Sequence, residues 1–314
     1  MDEKCQDKRH VLDSLYIKLK DYQSVFLTVE DLKLLGVEAS QVGISDGQLQ
    51  FDPCVFRPHP EKVLHKYPIR TPQDITKVGN SPTLDDFVDE AKEISTDEKE
   101  QLTIAKSRHK AYYEESTCFW CYDNALEVSE YVDSQLTQQR RRNPNDEDYQ
   151  DWFYLLSLTD LELFDWGKVR KKGDPLPWEL FTPNVHWRVH RAYRHWGNGN
   201  RAKPHCIAEI VSDAYASDED QCLTIHELRG IVNLMLPRVV RGRFHTDIHP
   251  LLLISYTGFK HDRIIQASYD EKRLTLQFSQ LWSFEREETA PAELFCRYLL
   301  SEAVGLQTST LCVR

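Results

Sequence analysis

No stretch of the 314-residue chain approaches the roughly 18–20 consecutive apolar residues that a bilayer-spanning helix needs. No apolar core follows the charged start Met1-Asp2-Glu3-Lys4, so no secretory signal is expected. Cys312 stands third from the end, whereas a prenylation box needs its cysteine fourth from the end. There is no P-loop, no Rossmann glycine pattern, no nucleophile elbow and no Ser-His-Asp ordering, which removes the chemistries those motifs carry. Internal repeats and extended low-complexity tracts are missing too. With 8 cysteines and no secretory signal, the thiols are expected to be reduced and the compartment cytosolic or nuclear.

A chain that is 40% hydrophobic, with 7 Trp, 14 Tyr and 13 Phe, is too apolar for disorder and long enough to bury a large core. Its net charge of −11 and pI near 5.6 oppose a nucleic-acid coat but leave room for a local basic groove.

The densest pattern lies at 249–305. HPLLLISYTG holds a continuous apolar run from Leu251 to Tyr256 closed by Gly258, and RIIQASY and LTLQFS alternate. Continuous apolarity predicts a strand buried on both faces, and alternation predicts half-buried ones. Asp270-Glu271-Lys272 supplies a turn, and Pro291 opens a helix over AELFCRYLLSEAVG that Gly305 closes. Together these form a β-β-β-α core.

Upstream, Thr28 with Asp31 caps VEDLKLL before Gly36, and Ser45-Asp46-Gly47 marks a hairpin turn. Prolines at 53, 58, 60, 68 and 72 imply a loop-rich arm. Helices are predicted from Thr83 to about Ile94, from Ser95 and Glu98 through Tyr112, and from about Phe119 to Leu136. The segment from Asp85 to Glu100 carries eight carboxylates and two lysines, as a solvated helix face would. After a polar stretch at 138–150, helical patterns are read in WFYLLSL, in LELFDWGKV (Thr159 with Glu162), in VHWRVHRAYRHW (capped by Asn184) and in IHELRGIVNLML (Thr224 with Glu227).

The expected fold class is α+β: a mostly helical N-terminal part with a small antiparallel three-stranded sheet plus helices near the C-terminus. The expected division is a mainly helical region 1–137, a linker 138–150 and an α+β domain 151–314.

Three constellations carry possible chemistry. Cys118-Phe119-Trp120-Cys121 has the spacing of a zinc knuckle or a redox pair. Two large aromatics sit where a knuckle has its turn, so core packing competes with both. Between His186 and Lys203 there are five Arg or Lys and no acid. His186, Trp187, Arg188, His190, Arg191, Arg194 and Trp196, with Arg241 and Arg243 from the run Arg238–His245, are therefore the ligand- or nucleic-acid-binding candidates. The competing assignment is that these arginines pair with the chain's own carboxylates. Finally, a helix followed by three strands invites comparison with the PD-(D/E)xK nuclease core. Glu227 and Asp270 could supply carboxylates, but the third strand offers Gln277-Phe278-Ser279 without the lysine that chemistry needs.

The stretch from Thr224 to Gly305, with His249-Pro250 before an apolar strand, RIIQASYD and LTLQFSQLWSF, resembles a lineage-specific protein family of filamentous fungi. Some genes of that family lie in secondary-metabolite clusters. The resemblance implies taxon and fold and transfers no catalytic residue. The expected function is a non-enzymatic interaction or regulatory protein, accessory to fungal secondary metabolism, with a protein partner, no membrane, no cofactor and no metal. Two alternatives stand beside it: nucleic-acid binding or processing on a degenerate nuclease-like core, and a small-molecule enzyme with a pocket of His186, Trp187 and His190.

Overall fold

The structure, a computed structural model, describes residues 10–69, 82–114, 118–141, 152–163, 187–197, 201–214, 222–240 and 248–305. In chain order the described residues form α1 (His10–Lys20), β1 (Phe26–Leu27), α2 (Val29–Leu35), β2 (Val37–Gln41), β3 (Ile44–Ser45), β4 (Gln48–Leu49), β5 (Phe56–Arg57) and α3 (Val63–Lys66). Next come α4 (Leu84–Lys92), α5 (Glu98–Glu114), α6 (Cys118–Thr137), β6 (Arg140–Arg141), β7 (Trp152–Phe153) and β8 (Leu161–Leu163). The remainder is β9 (Trp187–Gly197), β10 (Arg201–Ser212), β11 (Leu223–Thr224), α7 (Ile225–Val240), β12 (His249–Tyr256), β13 (His261–Tyr269), β14 (Leu274–Phe278), β15 (Trp282–Ser283), α8 (Ala292–Leu299) and β16 (Glu302–Ala303).

Local signals account for many boundaries. Thr28 and Asp31 exchange capping hydrogen bonds at the start of α2, and Gly36 closes it in the left-handed region at φ 83°. Asp46 and Gly47 both have positive φ between β3 and β4, as a two-residue hairpin loop of the favoured hand requires. Thr224 N donates to Glu227 Oε2 at 2.6 Å and Glu227 N to Thr224 Oγ1 at 3.1 Å, opening α7.

The expected small three-stranded sheet is corrected. Strands β12, β13 and β14 do form an antiparallel meander, but inside an eight-stranded mixed sheet of order β2-β14-β13-β12-β10-β9-β8, with β15 paired to β13. Strand β10 runs parallel to β12, joined to it through α7, and β2 runs parallel to β14. The β2–β14 ladder joins residues more than two hundred positions apart, and no local pattern announces it.

The arginine-rich segment expected to be a helix is strand β9, paired antiparallel with β10. The spacing of Val189, Ala192 and Trp196 fits a helix face. It loses to an eleven-residue ladder whose polar side chains find partners on both neighbours. The helical patterns in 152–163 resolve into β7, a 3₁₀ turn Leu155–Leu158 and the edge strand β8. The last helix stops at Leu299, and Glu302–Ala303 pairs with β5 instead of continuing to Gly305.

Two apolar layers flank the sheet. One face packs Ala208, Ile210, Leu251, Leu253 and Ile265 against α1, α2 and α7. The other packs Ile207, Val211, Leu252, Ile254 and Tyr256 against α6, α8 and the arm. Strand β12 is buried along its whole length, and each such Leu or Ile contributes roughly 1.5–3 kcal/mol. Gly230 lets α7 approach closely, since a Cβ there would lie 3.3 Å from Ile210 and 3.9 Å from the Trp187 ring. Within the stretch read as a linker, Arg140 is only 1% exposed. It donates to the carbonyls of Gln135, Leu64 and Tyr67, and residues 142–150 lie outside the described residues.

Candidate functional site

Strand β9 distributes the predicted binding residues over both faces. A register shift opposite Glu209 and Ile210 aligns Arg191 with Glu209 and Val189 with Ile210, leaving His190 as the extra residue of a bulge. Trp187 stacks on His226 of α7 at 6.1 Å, on the first face. Arg188 lies over the Tyr122 ring of α6 at 5.6 Å and donates to His190 Nδ1 at 3.4 Å. Arg191 reaches Asp133 of α6 at 3.1 Å and Glu209 of β10 at 3.9 Å. Arg194 donates from Nε and Nη2 to Glu162 of β8 at 2.9 and 2.7 Å.

Trp187 is therefore sealed beneath α7 and shares no pocket with His190. Trp196 belongs to β9, while His186, Arg241 and Arg243 lie outside the described residues. Arg238, at the end of α7, turns inward and donates to the carbonyls of Pro204 and Pro250.

The electrostatics follow from burial. Glu209 is 1% exposed. Desolvation pushes its carboxyl up to about 7, opposed by Arg191 and reinforced by Asp133. Asp133 is also raised by burial, again against Arg191. Burial, with Arg191 and Arg188 nearby, lowers His190 to about 4. One arginine thus serves two carboxyls in a desolvated layer between α6 and the sheet.

The carboxylates considered for metal chemistry do not converge. Glu227 is fully buried and its Oε1 faces Arg263 Nε at 3.1 Å. Asp270 sits in the β13–β14 turn, where its Oδ1 accepts from the backbone of Lys272 and Arg273. The seven steps from Arg263 to Asp270 span on the order of 20 Å of extended chain, so Glu227 and Asp270 cannot share an ion. Gln277 exchanges hydrogen bonds with the backbone of Asp52 at 2.9 and 2.7 Å, tying the arm to the sheet. Among the described residues, no group of three or more His, Cys, Asp or Glu is placed to hold a metal. Cys121 lies buried against Phe259.

What the sequence did not suggest is a cleft of about 1320 Å³ between the arm, the 158–160 turn, the start of β10 and the segment after α8. One wall holds Asp160, whose Oδ1 meets His195 Nδ1 at 2.7 Å and whose Oδ2 meets Lys203 at 3.1 Å. Burial works against the Asp160 charge, but the hydrogen bonds from His195 and Lys203 outweigh it and hold the carboxyl below its usual range. His195 is 0% exposed, so its ring supports Asp160 from behind and is closed to a substrate. Arg57 and Glu302 face each other at 3.7 Å across the β5–β16 pair. Ser301 lines the cleft, is fully buried, and its Oγ finds no hydrogen-bond partner among the described residues. These residues come from four distant segments, so no local motif could have grouped them.

No protein-family profile, curated protein or solved structure matches the chain. Among the described residues, no helix is long and apolar enough to cross a membrane.

Proposed function

We propose that the chain is a non-enzymatic interaction protein that receives an extended segment of a protein partner in the cleft between the arm and the start of β10. The observation that carries this is the cleft's size and lining. At about 1320 Å³ it exceeds the roughly 300–1,000 Å³ usual for small-molecule sites. Its walls mix carboxylates, amines, prolines and exposed backbone with no reactive constellation open to them. The fold supports binding over catalysis at this place because the Asp160–His195 pair keeps its imidazole sealed. Nucleic acid is a poorer fit, since Arg191 and Arg194 already hold carboxylate partners and Arg188 covers Tyr122.

Selection of displayed random peptides on the intact chain tests the proposal. Cys54 lines the cleft and is exposed, so bound peptides should protect its thiol from alkylation, read by mass spectrometry. Peptides that bind without slowing alkylation of Cys54, or a selection that enriches nothing, would refute the proposal.

A further inference from the structure

The large sheet ends in two unlike edges. Strand β8 closes one end with only three residues, Leu161–Leu163, too short to template another strand well. The other end is β2, Val37–Gln41, paired on one side with β14 and on the other with no strand among the described residues. Val42 N donates to Phe278 O at 2.8 Å. Backbone groups alternate sides along a strand, so Val37, Ala39 and Gln41 aim their N–H and C=O groups away from β14. Glu38, Ser40 and Gln41 are exposed and Ala39 is half-buried. The strand has no proline, lysine or bulge to guard its edge, and its one charge, Glu38, is already paired with Arg273 at 2.8 Å. None of its residues lines the cleft.

This outward row is complementary to itself. Around a twofold axis at Ala39, an antiparallel second β2 sets Ala39 against Ala39, and Val37 against Gln41 in both directions. Every outward N–H and C=O of the strand then finds a partner. Glu38 falls opposite Ser40, whose hydroxyl can donate to the carboxylate. Moving the axis to Glu38 would set two carboxylates face to face, which is unfavourable, and moving it to Ser40 would leave Val37 without a partner inside the strand. We infer that two copies of the chain associate antiparallel through β2, so that the sheet continues from one protomer into the next. The contact is isologous and closes on itself. With so few residues in the ladder the interface is small, and the dimer dissociates on dilution.

Sedimentation velocity on the full chain tests this. At about 100 µM the mass should approach twice the 36.8 kDa of one chain, and at about 1 µM it should be that of one chain. Ser40→Glu sets each Glu38 against a second carboxylate and should weaken the dimer about tenfold, whereas Ser40→Lys should tighten it by a similar factor. Ala39→Pro removes an outward N–H and spares the β14 ladder, so it should be monomeric throughout. The Ser40 variants, on an exposed side chain, carry the test should Ala39→Pro fold poorly. Ala39→Cys should join two chains by a disulfide under mild oxidation, because Cα atoms paired in this way stand about 5.5 Å apart. The wild type, with its exposed Cys54, should stay unlinked under the same treatment. A monomer at every concentration, a dimer that neither Ser40 variant shifts, or a dimer that Ala39→Cys fails to link overturns the inference.

Discussion

Replacing Glu209 by glutamine should make the protein more stable above pH 7 and leave it unchanged near pH 4.5. Glu209 sits between the sheet and α6 with Arg191 3.9 Å away and Ser129 Oγ at 3.5 Å. Burial raises its carboxyl from the ordinary 4.5 to about 7. Below the unfolded value both states hold the proton and folding costs nothing on this account. As pH rises from 4.5 towards 7, the unfolded chain releases the proton and the folded chain does not, so stability is lost and the loss is complete above the folded value. That interval is worth about 3 kcal/mol. The attraction of Arg191 is already contained in it, because without that guanidinium the carboxyl would be higher still. Glutamine keeps the shape and cannot ionise. Urea unfolding of wild type and E209Q across this range should give a difference that grows from near zero to about 3 kcal/mol in favour of the variant. Titrating groups that do not interact with Glu209 cancel in the subtraction. If E209Q is the less stable protein above pH 7 by more than about 1 kcal/mol, the carboxylate is net stabilising and the burial argument is wrong.

Acid should act through the buried histidines. Burial lowers His205 and His226 to about 3 and His190 to about 4, so stability should fall as pH drops below their ordinary 6.5, where only the unfolded chain protonates. H226Q should flatten part of that decline, and an unaltered decline would mean His226 takes up its proton inside the fold. Arg263→Met leaves Glu227 charged and buried and should cost about 3–5 kcal/mol. The added change E227Q, which keeps an acceptor for Thr224 N, should recover most of the loss in thermal unfolding, and failure to recover would assign the cost to lost packing. The triple change R188A/R191A/R194A should lower the melting temperature and leave oligonucleotide binding undetectable. A salt-sensitive micromolar complex of the wild type, abolished by the triple variant and falling with a slope near −0.7 per phosphate on single strands, would reinstate the nucleic-acid reading.

Where the signal was local, sequence and structure agree closely. The Thr28–Asp31 and Thr224–Glu227 boxes, the Asp46-Gly47 turn and the wholly buried β12 each follow from side-chain and backbone chemistry within a few residues. The helix read from about Phe119 to Leu136 runs Cys118–Thr137. Where the deciding partner was distant, the local pattern misled. Strand β9 carries a passable helical face, yet Arg191 pairs with Asp133 and Glu209 and Arg194 with Glu162, residues of α6, β10 and β8 that no spacing rule relates to it.

By itself, then, the sequence determined the caps, the turns and the β12–β14 meander, because each depends on neighbours within one or two turns of chain. Only the tertiary structure decided the width of the sheet, the parallel joining of β2 to β14 and of β10 to β12, and the use of the arginines within the fold. The cleft belongs to the same group: Asp160, Lys203, Arg57 and Ser301 become one site because long-range strand pairing and burial bring four separate segments together. Backbone pairing across hundreds of residues is rewarded only once the whole core closes, and no short window of sequence records it.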